Sequence, residues 1–247
     1  MEIISSSPLF WGLAIIGVIF TGISKSGFAG GAGVVAVPLL ALVVPVETAV
    51  ALMLPILLVM DLRTITYYWQ HRSGLELKKL LPAALIGIAL GGWLLAWVSP
   101  FALTLSLGIL SLLFAFWQNL APLVARLPGS AWLWGAMSGV TSTLIHAGGP
   151  PLNMYLIGRG LPKLAWLATA GVVFGVMNLI KLVPYTLAGF WNRELLVTAL
   201  ILVPAAYLGV YLGYRLQYYF NEWVFLLSCR WLLALSGLAL LGKAVSG

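Results

Sequence analysis

"HAGGPP", residues 146–151, interrupts a chain that otherwise reads as apolar, with "WLWGAMSGVTSTLI" before it and "LNMYLI" after. A histidine, two glycines and two prolines in succession cannot continue a helix. A second interruption, "FAGGAG" at 28–33, breaks another apolar run in the same manner. Whether these are surface turns or helix breaks deep in a membrane decides the fold. Of the 247 residues, 62% are hydrophobic and 8% charged, whereas a soluble domain carries about 25% charged residues to face water. Apolar stretches long enough to cross a bilayer recur along the chain, and no series of alternating strand-like segments suggests a barrel. The pattern is that of an all-α polytopic membrane protein.

The formal charge of +7 would suggest nucleic acid in a soluble protein. Here the basic residues fall mostly in short loops, where the positive-inside bias places them, so no nucleic-acid partner is expected. The single cysteine, Cys229, rules out an internal disulfide and reads as a small packing residue in an apolar segment. "MEIISSSPLFWGLAIIGVIF" lacks the basic start and small-residue cleavage site of a signal peptide, and reads as a retained first membrane segment.

A faint internal repeat runs through the chain. Ala29-Gly30-Gly31 matches Ala147-Gly148-Gly149 at an offset of 118, while Pro45/Pro162, Asp61/Asn178, Tyr68/Tyr185 and Gly92/Gly209 match at 117. One deleted residue reconciles the two offsets. The halves are residues 1–120 and 121–247, one membrane domain of two repeats with five apolar segments each. The segments run 8–27, 31–45, 47–70, 80–98 and 101–120, then 131–146, 150–158, 163–190, 194–214 and 222–243. The second of each half is too short to span ~30 Å at 1.5 Å per residue, so it forms a re-entrant hairpin or a broken pair with the first. Arg72, Lys78 and Lys79, Arg126, Arg159 and Lys163, and Arg215 lie in four connectors that can all be cytoplasmic at once. Both termini then face outward. Five being odd, the second half enters from the opposite side: an inverted repeat.

Under this topology the two glycine breaks approach the midplane from opposite faces. Broken helices in lipid leave backbone groups unsatisfied, and survive where protein or a water-filled cavity covers them. The helices that begin after Gly31 and at Pro150 point their N-termini inward, which suits an anion. Ordinary surface turns are the alternative. The long third segments supply the polar groups: Asn178, Lys181 and Tyr185 form one helical stripe, and Asp61, Thr64 and Tyr68 its counterpart. A lysine inside a spanning helix should face a cavity or a partner, and Asp61 is a candidate partner, either as a structural ion pair or within a site. Snorkelling of Lys181 to the surface is a further alternative. Lys25 stands beside the first break, a candidate for the substrate or a residue of a wet vestibule, and His146 beside the second, a candidate for the substrate, a proton or a plain hydrogen bond to a carbonyl. Arg63 belongs to another face than Asp61, Arg230 has a helix partner to find, and Glu47 reads as solvated. Gly87/Gly91, Gly135/Gly139, Gly171/Gly175 and Gly209/Gly213 read as close helix crossings, and Trp69, Trp132 and Trp191 as interfacial anchors.

"HAGGPPLNMYLI" followed by "TAGVVFGVMNLIKLVPYTLAGFWN" resembles the second half of the TauE/SafE-type sulfite exporter family, and "GFAGGAGVVAVPLLAL" with "VPVETAVAL" fits that family's first-half motif. The resemblance covers nearly the whole chain. It implies a multipass transporter of small sulfur-containing or related organic anions in the bacterial inner membrane, both termini periplasmic by the charge argument. The first half departs from the pattern at Pro55 and at Asp61, an acid where its partner position holds Asn178.

The residues themselves lead to a secondary transporter working by alternating access. Gly30, Gly31, Gly148, Gly149, Asn178, Lys181, His146 and Lys25 are the expected anion contacts; Asp61, Thr64, Tyr68 and Tyr185 are the expected coupling and gating groups. No G-x-x-x-x-G-K-[ST] loop argues for ATP drive, no H-E-x-x-H pair for zinc, and no cofactor is expected. A passive anion channel is the nearest alternative. An intramembrane enzyme would use Ser26 or Ser142 with His146, but no G-x-S-x-G elbow is present. A non-transporting subunit would leave Asp61 and Lys181 without a purpose. The expected partners are a small anion and membrane lipid, and a homo-oligomer is compatible with the pattern.

Overall fold

The computed structural model of the chain describes residues 7–30, 35–116, 131–217, 219 and 222–246. Gly31, with most of the first glycine break, and the connector bearing Arg126 lie outside them. The described residues form helices and no strand: α1 Pro8–Gly27, α2 Ala36–Ala41, α3 Val46–Tyr68, α4 Gly74–Leu95, α5 Pro100–Ala115, α6 Ala131–Ile145, α7 Gly149–Gly158, α8 Lys163–Leu187, α9 Arg193–Leu216 and α10 Glu222–Ser246. Five of these, α1, α3, α4, α8 and α9, are long and apolar enough to cross a membrane. The short second helix expected in each half is present as α2 and α7. Large apolar side chains such as Leu187, Leu200 and Trp97 remain exposed on the outside, as a lipid-facing surface requires.

Local chemistry sets the boundaries. Pro8 sits in the first turn of α1, where a missing N–H costs nothing. Ser73 accepts from the Glu76 N–H to cap α4, and Asn192 accepts from the Leu195 N–H at 2.8 Å to cap α9. Helices α3 and α8 each follow a proline in extended conformation, Pro45 and Pro162. At the other ends, cations meet bare carbonyls: Lys243 donates to Ala41 O at the end of α2, and Arg230 to Ala115 O at the end of α5. The partner expected for Arg230 is therefore a helix terminus.

Helix α1 packs against α9, α4 against α6, α5 against α10, and α3 crosses α8. Glycines make the closest approaches. A Cβ at Gly22 would stand 2.8 Å from Gly209 C, and one at Gly209 would stand 2.6 Å from Ile19 O. The α4–α6 crossing repeats this arrangement, with Gly87 against Ala136 O and Gly139 against Gly87 Cα. Gly91 and Gly213 likewise correspond, the first meeting Thr143 and the second Ser26. The matching glycines are thus Gly87 and Gly209, 122 residues apart (209 − 87), and the sequence match of Gly92 with Gly209 is off register. Gly92 faces Pro184 instead. The reason is spacing: 24 residues separate Tyr185 from Gly209 but 19 separate Tyr68 from Gly87 (209 − 185; 87 − 68), a turn and a half more helix and connector.

The tyrosines keep the shorter register. Tyr68 Oη donates to Ser26 O at 2.7 Å, and Tyr185 Oη donates to Thr143 O at 2.8 Å, in each case 42 residues back. Each ties the end of a half's first helix to that half's third. The first helices also end alike, with Ala29 and His146 in the left-handed region at φ 50° and 56°. Beyond these, Gly30 N–H bonds to Ser24 O and Ala147 N–H to Thr141 O. An L residue in that region is strained and persists where its surroundings hold it.

Candidate functional site

Where α3 and α8 cross, a cavity of about 30 Å³ opens between them, α1, α6 and the two breaks. That is room for a water molecule or two. Its lining includes Thr21, Lys25, Gly30, Ser142, His146 and Asn178. Leu57, Phe174 and Gly149 complete it. Helical periodicity brings them together: Thr21/Lys25, Leu57/Asp61, Ser142/His146 and Phe174/Asn178 are each four residues apart, hence one above the other on a face.

The charges are arranged in two groups. Lys25 Nζ lies 2.5 Å from Asp61 Oδ1, both side chains being almost wholly buried, and 5.3 Å from the centre of the Phe174 ring. Asn178 Nδ2 donates to the other oxygen of Asp61. The second group centres on Lys181, which is 0% exposed. Its ammonium donates to Ser142 O at 3.0 Å, to Ser142 Oγ at 3.0 Å and to His146 Nδ1 at 2.7 Å. An ammonium has three protons, and here are three acceptors. The Nε2 of His146 lies 2.8 Å from Val50 O. A carbonyl can only accept, and with Lys181 as an ammonium that can only donate, His146 is left one form: neutral, protonated on Nε2.

This corrects one expectation directly. Asp61 pairs with Lys25, not with Lys181. The choice follows from which helix faces are apposed, and no spacing within a single helix encodes it. Arg63, as expected, turns away from Asp61 and lies 4.9 Å over the exposed side of Tyr67.

Of the expected anion contacts, Lys25, Gly30, His146, Gly149 and Asn178 reach the cavity. Lys181 stands one shell behind it, covered by Ser142 and His146. Gly148 is also behind, its carbonyl accepting from Ser138 Oγ at 2.7 Å. The N–H of Gly30 is spent on Ser24 O at 2.9 Å, so this glycine offers the cavity its bare Cα rather than a donor. At the start of α7 the prolines at 150 and 151 have no N–H, which leaves Gly149 as the donor of that first turn facing the cavity. The backbone is therefore a poorer anion cradle than the glycine content implies, and side chains must carry more of the contact. Gly31 falls outside the described residues.

Of the expected coupling and gating groups, Asp61 touches the site through Lys25 and Asn178. Thr64 is buried one turn on, and its hydroxyl has no hydrogen-bond partner among the described residues. Neither Tyr68 nor Tyr185 lines the cavity; both brace helix ends, Tyr185 with its ring 5.9 Å from that of His146, and Tyr68 Oη also accepts from Gln217 Nε2 at 2.7 Å. Ser26 donates to Val210 O and Gly22 O. Both nitrogens of His146 are engaged, and Lys181 stands between it and Ser142.

Sequence reasoning passed over a second polar cluster, at the end of the bundle where α4 begins and α7 finishes. Glu76 is buried there and accepts from Tyr155 Oη; Arg159 lies 3.3 Å and Lys79 3.6 Å from its other oxygen. Nearby, Asn153 Nδ2 donates to Ala29 O at 3.1 Å and Trp166 Nε1 to Asn153 Oδ1 at 2.8 Å. Lys163 Nζ donates to Gln217 O. These contacts join residues from early and late in the chain. A glutamate within "GLELKK" resembles an ordinary solvated loop charge, and nothing in its spacing announces its burial.

The family model described as Sulfite exporter TauE/SafE matches residues 13–240. No curated protein and no solved structure matches the chain. The match takes in every residue that lines the cavity, from Thr21 to Asn178, and with them both glycine breaks. A multipass helical bundle with buried charges at a central helix crossing is thus found in a chain that belongs to the TauE/SafE sulfite exporter family.

Proposed function

We propose that this membrane protein is a secondary transporter that carries a small sulfur-containing or organic anion, sulfite- or sulfonate-like, by alternating access across the bacterial inner membrane. The observation that carries this reading is the buried cavity with Lys25, Ser142, His146 and Asn178 on its wall and Lys181 behind it. Cations inside a membrane protein are expensive and mark pathways for charge. The cavity draws on residues before and after the midpoint of the chain. The recurring tyrosine bonds and paired glycine crossings favour two repeats of inverted topology that rock about it. The charge of the basic connectors supports a periplasmic position for both termini. Gly30, Gly149, Asn178 and His146 line the anion, Lys25 faces its charge, Lys181 adds to the field, and Asp61 couples.

A small cavity with room for a water or two supports a carrier over an open channel. Counterflow in proteoliposomes tests the choice, with sulfite and methanesulfonate as probes. A carrier takes up labelled anion faster when the far side is loaded. Flux that ignores trans loading would refute alternating access.

A further inference from the structure

Resting on that reading of the cavity, we infer that the site is matched to a single negative charge, and that a divalent anion occupies it only together with a proton on Asp61. The argument is a count of charges. Lys25 and Lys181 contribute two positive charges, Asp61 one negative, and His146 none, because its two ring nitrogens face a carbonyl and an ammonium. The sum is one positive charge, enclosed in an apolar bundle where an unmatched charge is costly.

The neighbouring elements leave the count unchanged. Helix α1 presents Lys25 to Asp61, α8 presents Asn178 and Lys181, and the turn after α6 presents His146. Helices α2 and α5 carry no ionisable side chain. Of the groups near the inner end of α3, Arg63 is exposed over Tyr67, and Tyr214 of α9 stacks on the same ring at 4.1 Å, a turn and more from Asp61. Donor geometry identifies the cation that meets the anion. All three protons of Lys181 are committed to Ser142 and His146, whereas Lys25 lines the cavity and bonds to Asp61 with one. An incoming monoanion takes up the other protons of Lys25 and leaves the Lys25–Asp61 pair in place. A dianion leaves one negative charge in excess, which a proton from bulk water on Asp61 cancels. That proton then travels with it.

Two probes of fixed charge at mildly alkaline pH test this: methanesulfonate, a monoanion, and sulfate, a dianion. Wild-type protein should bind methanesulfonate in preference. Asp61→Asn adds one net positive charge, and should raise the ratio of sulfate to methanesulfonate affinity by roughly tenfold or more. Lys25→Met/Asp61→Asn returns the count to one and should restore the monoanion preference. A second measurement needs no variant: in wild-type proteoliposomes, sulfate influx should carry one proton per anion and methanesulfonate influx none. An unchanged ratio in Asp61→Asn, or sulfate flux without proton uptake, overturns the inference while leaving the transporter standing. Binding of neither probe overturns the anion-site reading itself, and this inference with it.

Discussion

Removing Lys25 tests how the centre of the bundle is held together. Its ammonium is 2.5 Å from Asp61 Oδ1, and the two side chains are 6% and 2% exposed. Lys25→Met keeps the length of the chain and takes away the charge, leaving a buried carboxylate with Asn178 as its remaining donor. Breaking a buried pair in this way costs about 3–5 kcal/mol, because the surviving charge is neither solvated nor paired. At roughly 2–4 °C per kcal/mol for a chain of this size, the apparent melting temperature in detergent should fall by about 6–20 °C. Asp61→Asn alone, which strands Lys25, should cost a similar amount. The double variant Lys25→Met/Asp61→Asn strands nothing and should recover to within about 1 kcal/mol of wild type, since a neutral replacement for a buried pair is often neutral in stability. The cycle should thus show coupling of roughly 5 kcal/mol or more. Size-exclusion chromatography of heated, fluorescently tagged protein reads all four proteins. If the single variants lose less than about 2 °C, or the double loses the sum of both, the pair is not the buried, solvent-free contact described.

Three other perturbations reach different parts of the fold. Gly22→Val should cost about 1–3 kcal/mol by forcing α1 off α9, while Gly12→Val, whose Cβ meets nothing within 4 Å, should leave melting unchanged; equal losses would refute the close crossing. Lys181→Met should weaken methanesulfonate binding roughly tenfold or more by removing a charge just behind the cavity, and unaltered titration calorimetry would show that its field does not reach the anion. Glu76→Gln loosens the contacts of α4 with Tyr155 and Arg159, and since Arg159 is 44% exposed the ion pair is worth ~1 kcal/mol or less. The open population should then rise up to about fivefold, read as faster labelling of Thr21→Cys in a Cys229→Ser background by an impermeant thiol reagent. Unchanged labelling would argue against Glu76 as a latch.

The helices were legible because their signal is local. Hydropathy, prolines at starts and the glycine interruptions gave ten segments in the right order, and the stripes Asp61/Thr64/Tyr68 and Asn178/Lys181/Tyr185 are indeed buried. What the sequence left open was tertiary. Nothing local to Asp61 distinguishes Lys25 from Lys181 as its partner; that depends on the crossing of α1 with α3. The repeat aligned by residue identity slipped at Gly92, because a connector lengthened between Tyr185 and Gly209 changes register without changing composition. Glycine content also overstated the backbone's role: the N–H of Gly30 is consumed by the helix it terminates. That Ser142 holds the Lys181 ammonium on both oxygens was likewise not legible from its spacing. Thr21, Leu57 and Phe174 were within reach, each one turn before a residue already singled out.

The small size of the central cavity bears on hydration. With about 30 Å³ available, an anion cannot keep its water shell, and the stripped oxygens must find replacements among Lys25, Asn178, Ser142 and the Gly149 N–H. On the proposed function, dehydration then adds a cost of its own to entry, largest for the most strongly hydrated anions. Crossing should be slow to begin and steeply dependent on temperature, because the largest barrier on the way in is the removal of water.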